Sequence, residues 1–144
     1  MPPSLTRVTP GYVNAAASFA TQLSLENLGS RATDHALTIV RDTLGCIIAG
    51  GALPEIKGLR REALHLGGGG GASAVGVEGR LAPQAAAMIN AAAGVSLELD
   101  EGCQFSTNHP SVHILPAAFA VAEANGNSGR EFLEAFIAGY EVAC

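Results

Sequence analysis

The chain has 144 residues, 48% of them hydrophobic and 15% charged, and a net charge of −5. That length gives a single domain room for a real core. Arg60 and Arg61 are the only adjacent basic pair, which argues against nucleic-acid binding, and no apolar stretch reaches the roughly 18 residues a membrane-crossing helix needs.

Residues 1–10 are punctuated by proline and are expected to form a mobile arm, leaving 11–144 as the domain. Over 12–25, Val13, Ala16, Ala17, Ala20 and Leu23 recur at helical spacing. Ser30 offers an N-cap for a second helix over 32–49. Its apolar stripe is Ala36, Ile39, Val40, Leu44, Ile47 and Ile48, and Gly50 and Gly51 end it. Pro54 opens a shorter helix with Ile56, Leu59, Ala63 and Leu64 on one side.

Five glycines fill 67–71. No Lys-Ser/Thr pair follows them, as a phosphate-binding loop requires, so they are expected to be a flexible connector. Residues 72–77 suit a short extended segment turned at 78–80. Pro83 starts an Ala-rich helix to about Leu97, and Pro110 or Ser111 starts another to about Ala124, with Pro116 expected to kink it or delay its start. Ser128 and Glu131 form a capping box for the last helix, 129–144. That helix carries no stop signal, the pattern of a chain that continues. The many small aliphatic residues suit helix-on-helix packing, with part of the apolar surface covered by a partner or by further chain.

Acid–base groups concentrate between the Pro83 helix and the Pro110 helix. Glu98, Asp100 and Glu101 lie at the end of one apolar helix; three neighbouring carboxylates repel, which in an enclosed site favours keeping one protonated. His109 precedes Pro110 at a helix N-terminus, where the dipole disfavours a cation and leaves a neutral, proton-accepting imidazole. The amides of that helix end and the Ser111 hydroxyl are suited to a substrate carboxylate. His113 follows His109 by four, but Pro110 holds His109 off helical backbone and no HExxH glutamate is present, so no metal site is expected. Cys46, Cys103 and Cys144 are odd in number and widely spaced, as in reduced thiols. With no leader-like N-terminus, they lead to an expected cytoplasmic location.

Four segments, in order, resemble a known family. They are RDTLGCIIAGG (41–51), GRLAPQAAAMIN (79–90), ELDEG followed by HPS (98–102 and 109–111), and SGREFLEAFIAGYEVA (128–143). Together they are similar to the MmgE/PrpD family of 2-methylcitrate dehydratases, cis-aconitate decarboxylases and iminodisuccinate epimerases. Glu98 stands where the family pattern opens with Asp, and Gly102 where it has Thr.

The resemblance implies an all-α fold: the helical-bundle, N-terminal part of a large helical domain, homodimeric in full length and free of cofactors and metals. It implies a lyase of small di- or tricarboxylates, in first place a dehydratase of a substrate such as 2-methylcitrate. His109 would abstract the proton next to a carboxylate, with Asp100 and Glu101 as its catalytic partners. Glu98, Gln104, Ser111 and His113 would be substrate contacts, and the basic and tyrosine residues that complete the site would lie beyond position 144. Decarboxylation or epimerisation, of cis-aconitate or iminodisuccinate, is the alternative within the family. A non-catalytic helical subunit needing a partner chain is the alternative outside it. The 144 residues alone are expected to be inactive.

Overall fold

The computed structural model describes residues 10–144; the expected N-terminal arm lies almost wholly outside them. In chain order the elements are α1 (Pro10–Gln22), α2 (Ser30–Gly50), α3 (Pro54–Arg61), α4 (Ala63–Gly67), β1 (Gly68–Ala72), α5 (Pro83–Val95), α6 (Pro110–Asn125) and α7 (Gly129–Ala143). The fold class is all-α, with one short strand among the described residues.

Helix α5 is central. It packs against α2 on one side and α6 on the other, and α6 in turn packs on α7. Its composition explains the position: Ala85, Ala86, Ala93 and Gly94 present so little side chain that neighbouring backbones come close. One core cluster joins α2, α5, α6 and α7 through Ile39, Ile47, Ala93, Leu115 and Phe136. A second, around Ala72, Leu81, Ala86, Ile89 and Ala120, seats β1 and α4 on the opposite end of α5.

Glycines set the closest approaches. A Cβ on Gly50 of α2 would lie 1.9 Å from the Ala93 carbonyl oxygen of α5, one on Gly94 2.7 Å from Val112 of α6, and one on Gly139 of α7 2.7 Å from Ile114 of α6. Each helix pair along the series α2–α5–α6–α7 thus has one glycine at its close approach, and at Gly50 the neighbour is rigid backbone.

Several local expectations change. Gly29, not Ser30, is the N-cap of α2, and Ser30 is already helical. Ile48 and Leu64 lie on the solvent side of their helices, 63% and 54% exposed, while Thr43 and Cys46 take buried positions on α2. Thr43 tolerates burial because its hydroxyl donates to the Ile39 carbonyl one turn back.

The five-glycine run is not a loose connector. Its last four residues belong to β1, which doubles back through the Gly79 turn so that Gly69 N–H donates to the Arg80 carbonyl. Absent side chains make this possible, since a Cβ at Gly70 would sit 2.1 Å from the Leu81 oxygen. Glu123 of α6 holds the far end of the strand by accepting from the Ser73 amide at 2.7 Å and from the Ser73 hydroxyl. Pro116 does not delay α6, which starts at Pro110 and runs through it. Gly126 ends that helix in the left-handed conformation, with Asn127 N–H returning to the Ala122 carbonyl. The capping box of α7 is formed as the sequence predicts.

Candidate active site

The segment from α5 to α6 carries the acid–base groups past the end of α7. Two of its non-glycine residues, Glu98 and Thr107, have left-handed backbone (φ 52° and 54°), so the crossing is built from sharp turns. Its outer part folds on itself: Cys103 N–H donates to the Asn108 carbonyl at 2.9 Å, and Thr107 N–H to the Cys103 carbonyl at 2.9 Å. Asn108 then ties this hairpin to α7 by donating from Nδ2 to the Ala143 carbonyl at 3.0 Å.

The three carboxylates take three different environments. Glu98 is exposed. The Asp100 side chain has no exposed surface, and neither carboxylate oxygen has a well-aligned hydrogen-bond donor. Its nearest counterpart is His109, whose Nδ1 lies 3.2 Å from Oδ2 and 3.3 Å from the Asp100 main-chain oxygen. Glu101 turns the other way. Its carboxylate accepts from the Tyr140 hydroxyl of α7 and, at 3.2 Å, from the Ser111 amide in the first turn of α6.

These contacts assign roles. His109 is the N-cap of α6 on non-helical backbone (φ −116°, ψ 72°), with its side chain half exposed. Both groups next to Nδ1 are oxygen acceptors, so Nδ1 carries the proton and the lone pair sits on Nε2, on the side away from Asp100. A buried carboxylate behind a half-exposed imidazole is the arrangement that fixes one tautomer and stabilises the imidazolium once it forms.

Glu101 does not join that pair. It caps α6 from a distance, so the amide expected to hold a substrate carboxylate already has a protein partner. Burial, then the hydrogen bond to Glu101, pushes the Tyr140 hydroxyl well above the ordinary tyrosine range and keeps it a donor. Ser111 is fully buried, its hydroxyl without a partner, while Gln104 and His113 are exposed. The structure therefore brings together Asp100 with His109, and Glu101 with Tyr140 and Ser111. Glu98, Gln104 and His113 remain outside both groups.

Tyr140 is the participant that sequence reasoning missed. It continues the Phe132–Phe136–Tyr140 series, one aromatic per helical turn, whose rings pack in succession at 6.4 and 5.9 Å. By spacing alone it is another core side chain. A hydroxyl at the end of an otherwise apolar aromatic stripe was the available signal.

The thiols differ as sharply. Hydrogen bonding from Cys144, then from the Ser106 hydroxyl and amide, brings Cys103 down to about 7. Burial, then the nearby Asp42 and Asp100, pushes Cys46 up. No three His, Cys, Asp or Glu side chains converge among the described residues.

Residues 14–144 match the MmgE/PrpD N-terminal domain, and the chain belongs to that family. It is 28% identical over 148 residues to the cis-aconitate decarboxylase-like protein oryM of Aspergillus oryzae (strain ATCC 42149 / RIB 40), covering 96% of this chain and 31% of that protein. It is 25% identical to cis-aconitate decarboxylase of Aspergillus terreus, over 91% of this chain and 28% of that protein. The same enzyme from A. terreus strain NIH 2624 / FGSC A1156 is 26% identical, over 85% and 26%. The chain thus spans about a third or less of the length of the curated relatives it matches. No solved structure matches it.

Proposed function

We propose that this chain supplies the acid–base wall of a lyase that acts on a small tricarboxylate. The observation that carries the reading is the His109–Asp100 pair: a half-exposed imidazole whose Nδ1 lies against the Asp100 main-chain oxygen and its buried carboxylate. Family membership and the relatives named as cis-aconitate decarboxylases favour decarboxylation.

In that reaction the bond between a carboxylate carbon and its neighbour breaks, carbon dioxide departs, and the electron pair stays on the substrate carbon. His109, as imidazolium, then delivers its Nε2 proton to the carbanion-like centre. Asp100 keeps Nδ1 protonated throughout and stabilises the cationic ring before transfer. Neither Asp100 nor Glu101 is paired with Lys or Arg among the described residues, so cations for the substrate carboxylates come from residues outside this group.

Dehydration of a 2-methylcitrate-like acid is the second reading, supported by the same pair. There Nε2 begins as the free base and takes the proton next to a carboxylate while hydroxide leaves. The deciding experiment incubates the native protein with cis-aconitate and, separately, with 2-methylcitrate, following carbon dioxide release and water elimination. Release of one carbon dioxide per cis-aconitate is expected; water elimination from 2-methylcitrate alone assigns the second reading. Turnover of neither acid overturns both.

A further inference from the structure

Away from His109, the basic side chains are unevenly placed. The chain has only eight Lys and Arg, yet Lys57, Arg60 and Arg61 of α3 line one concavity of about 440 Å³ together with Gly51, Gly76 and Glu78. Arg80 and Arg130 are ion-paired with Glu123, Glu26 and Glu134. No such partner meets Lys57, Arg60 or Arg61 among the described residues, although Glu78 stands at the rim.

Arg60 forms the floor. Its Nη1 donates to the Gly51 carbonyl at 2.8 Å, while Nε and Nη2 are buried with no acceptor. Those two donors are covered by protein, so Arg60 contributes its fixed positive charge to the hollow rather than hydrogen bonds. Two glycines keep the group where it is. A Cβ at Gly51 would fall 2.1 Å from Nη2, and one at Gly76 2.7 Å from Nη1.

The facing wall is fixed as well. Residues 74–77 form a turn closed by Val77 N–H to the Ala74 carbonyl, with Gly76 at the left-handed position (φ 76°). Buried Asn90 of α5 holds that turn from behind, accepting from Val75 N–H at 2.8 Å and donating to the Ser73 carbonyl at 3.2 Å. The dipole of α3 rationalises cations in its last turn, but it provides no acceptor for Nε and Nη2.

We propose that the hollow between α3 and the 74–77 turn binds a small oxyanion carrying two or more negative charges. Lys57 and Arg61 engage it at the mouth, and the charge of Arg60 attracts it from below. The shared chemistry is multiply charged oxygen, as in a phosphate group or a polycarboxylate.

Calorimetric titration of the chain at low ionic strength, with inorganic phosphate in one arm and citrate in the other, tests this. One saturable site is expected, weakened at least tenfold in the Lys57→Ala/Arg61→Ala double variant and tightened in Glu78→Gln. Both substituted basic side chains are exposed, so the fold is retained, and circular dichroism verifies it. Binding of phosphate but not citrate assigns a phosphate-type ligand, and the reverse a polycarboxylate. No binding of either anion, or equal affinity in the double variant, overturns the proposal.

Discussion

His109 and Asp100 show how a short stretch of sequence can divide its acid groups by surroundings. Adjacent residues Asp100 and Glu101 point to different partners, one behind the imidazole and one across to Tyr140 and the α6 amide. The first lies beside the imidazole; the second ties the start of α6 to Tyr140 of α7. The same hairpin sets the reactivity of Cys103. With its thiol brought to about 7, alkylation by iodoacetamide should reach half its maximal rate near that pH, well before buried Cys46 reacts. Substituting Cys144→Ala removes the leading cause and should move the midpoint up towards the ordinary 9.0; peptide mass spectrometry after timed quenching measures both. The crowding of acids and histidines into residues 98–113 was readable in the sequence. The pairing was not. Which carboxylate faces the imidazole depends on the two left-handed residues, Glu98 and Thr107, and neither residue type advertises that conformation.

At the scale of elements, the helices were readable wherever apolar spacing and proline or capping signals agreed, as at Pro54, Pro83, Pro110 and Ser128. The glycines were less so. Gly50 reads as a helix stop, yet it is also a contact residue, and Gly50→Ala forces a methyl into the rigid Ala93 carbonyl. Urea denaturation should show a loss of about 1–3 kcal/mol. Gly139→Ala meets only the Ile114 side chain, which can rotate, and should cost clearly less. The 67–71 run misleads in the other direction: glycine's freedom suggests a connector, while its lack of side chain allows a strand to lie against Leu81 and α6. Glu123 fastens that strand and has a pH signature. Burial pushes its carboxyl up, but the Ser73 hydroxyl and amide and Arg80 together hold it below the ordinary 4.5. A depressed folded pKa means that the stabilisation is present above the unfolded value and lost as pH falls through the folded one. Glu123→Gln should therefore be less stable than the native chain by about 1 kcal/mol at neutral pH. The gap should narrow on acidification below 4.5, as read from urea midpoints across that range.

Across the whole molecule, packing is densest around α5 and thinnest at α1. Helix α1 rests chiefly on α7, and its Tyr12, Val13 and Phe19 are 66%, 56% and 40% exposed. Hydrogen exchange should accordingly run fastest in α1 and slowest in α5, and uniform protection across the two would show the packing to be otherwise. Helical spacing identified α1 as a helix, but spacing cannot say whether a neighbour covers its apolar side. The family and the fold class follow from order and composition along the chain. Substrate and reaction outcome depend on groups that meet in space, and the His109–Asp100 pair is the part of that meeting visible here. The most direct test is kcat for cis-aconitate in the native protein carrying His109→Gln, with circular dichroism to establish that the fold is intact. A loss of about 100-fold or more is predicted, as expected when a positioned acid–base group is removed. Turnover equal to the unsubstituted protein would contradict the role assigned to His109.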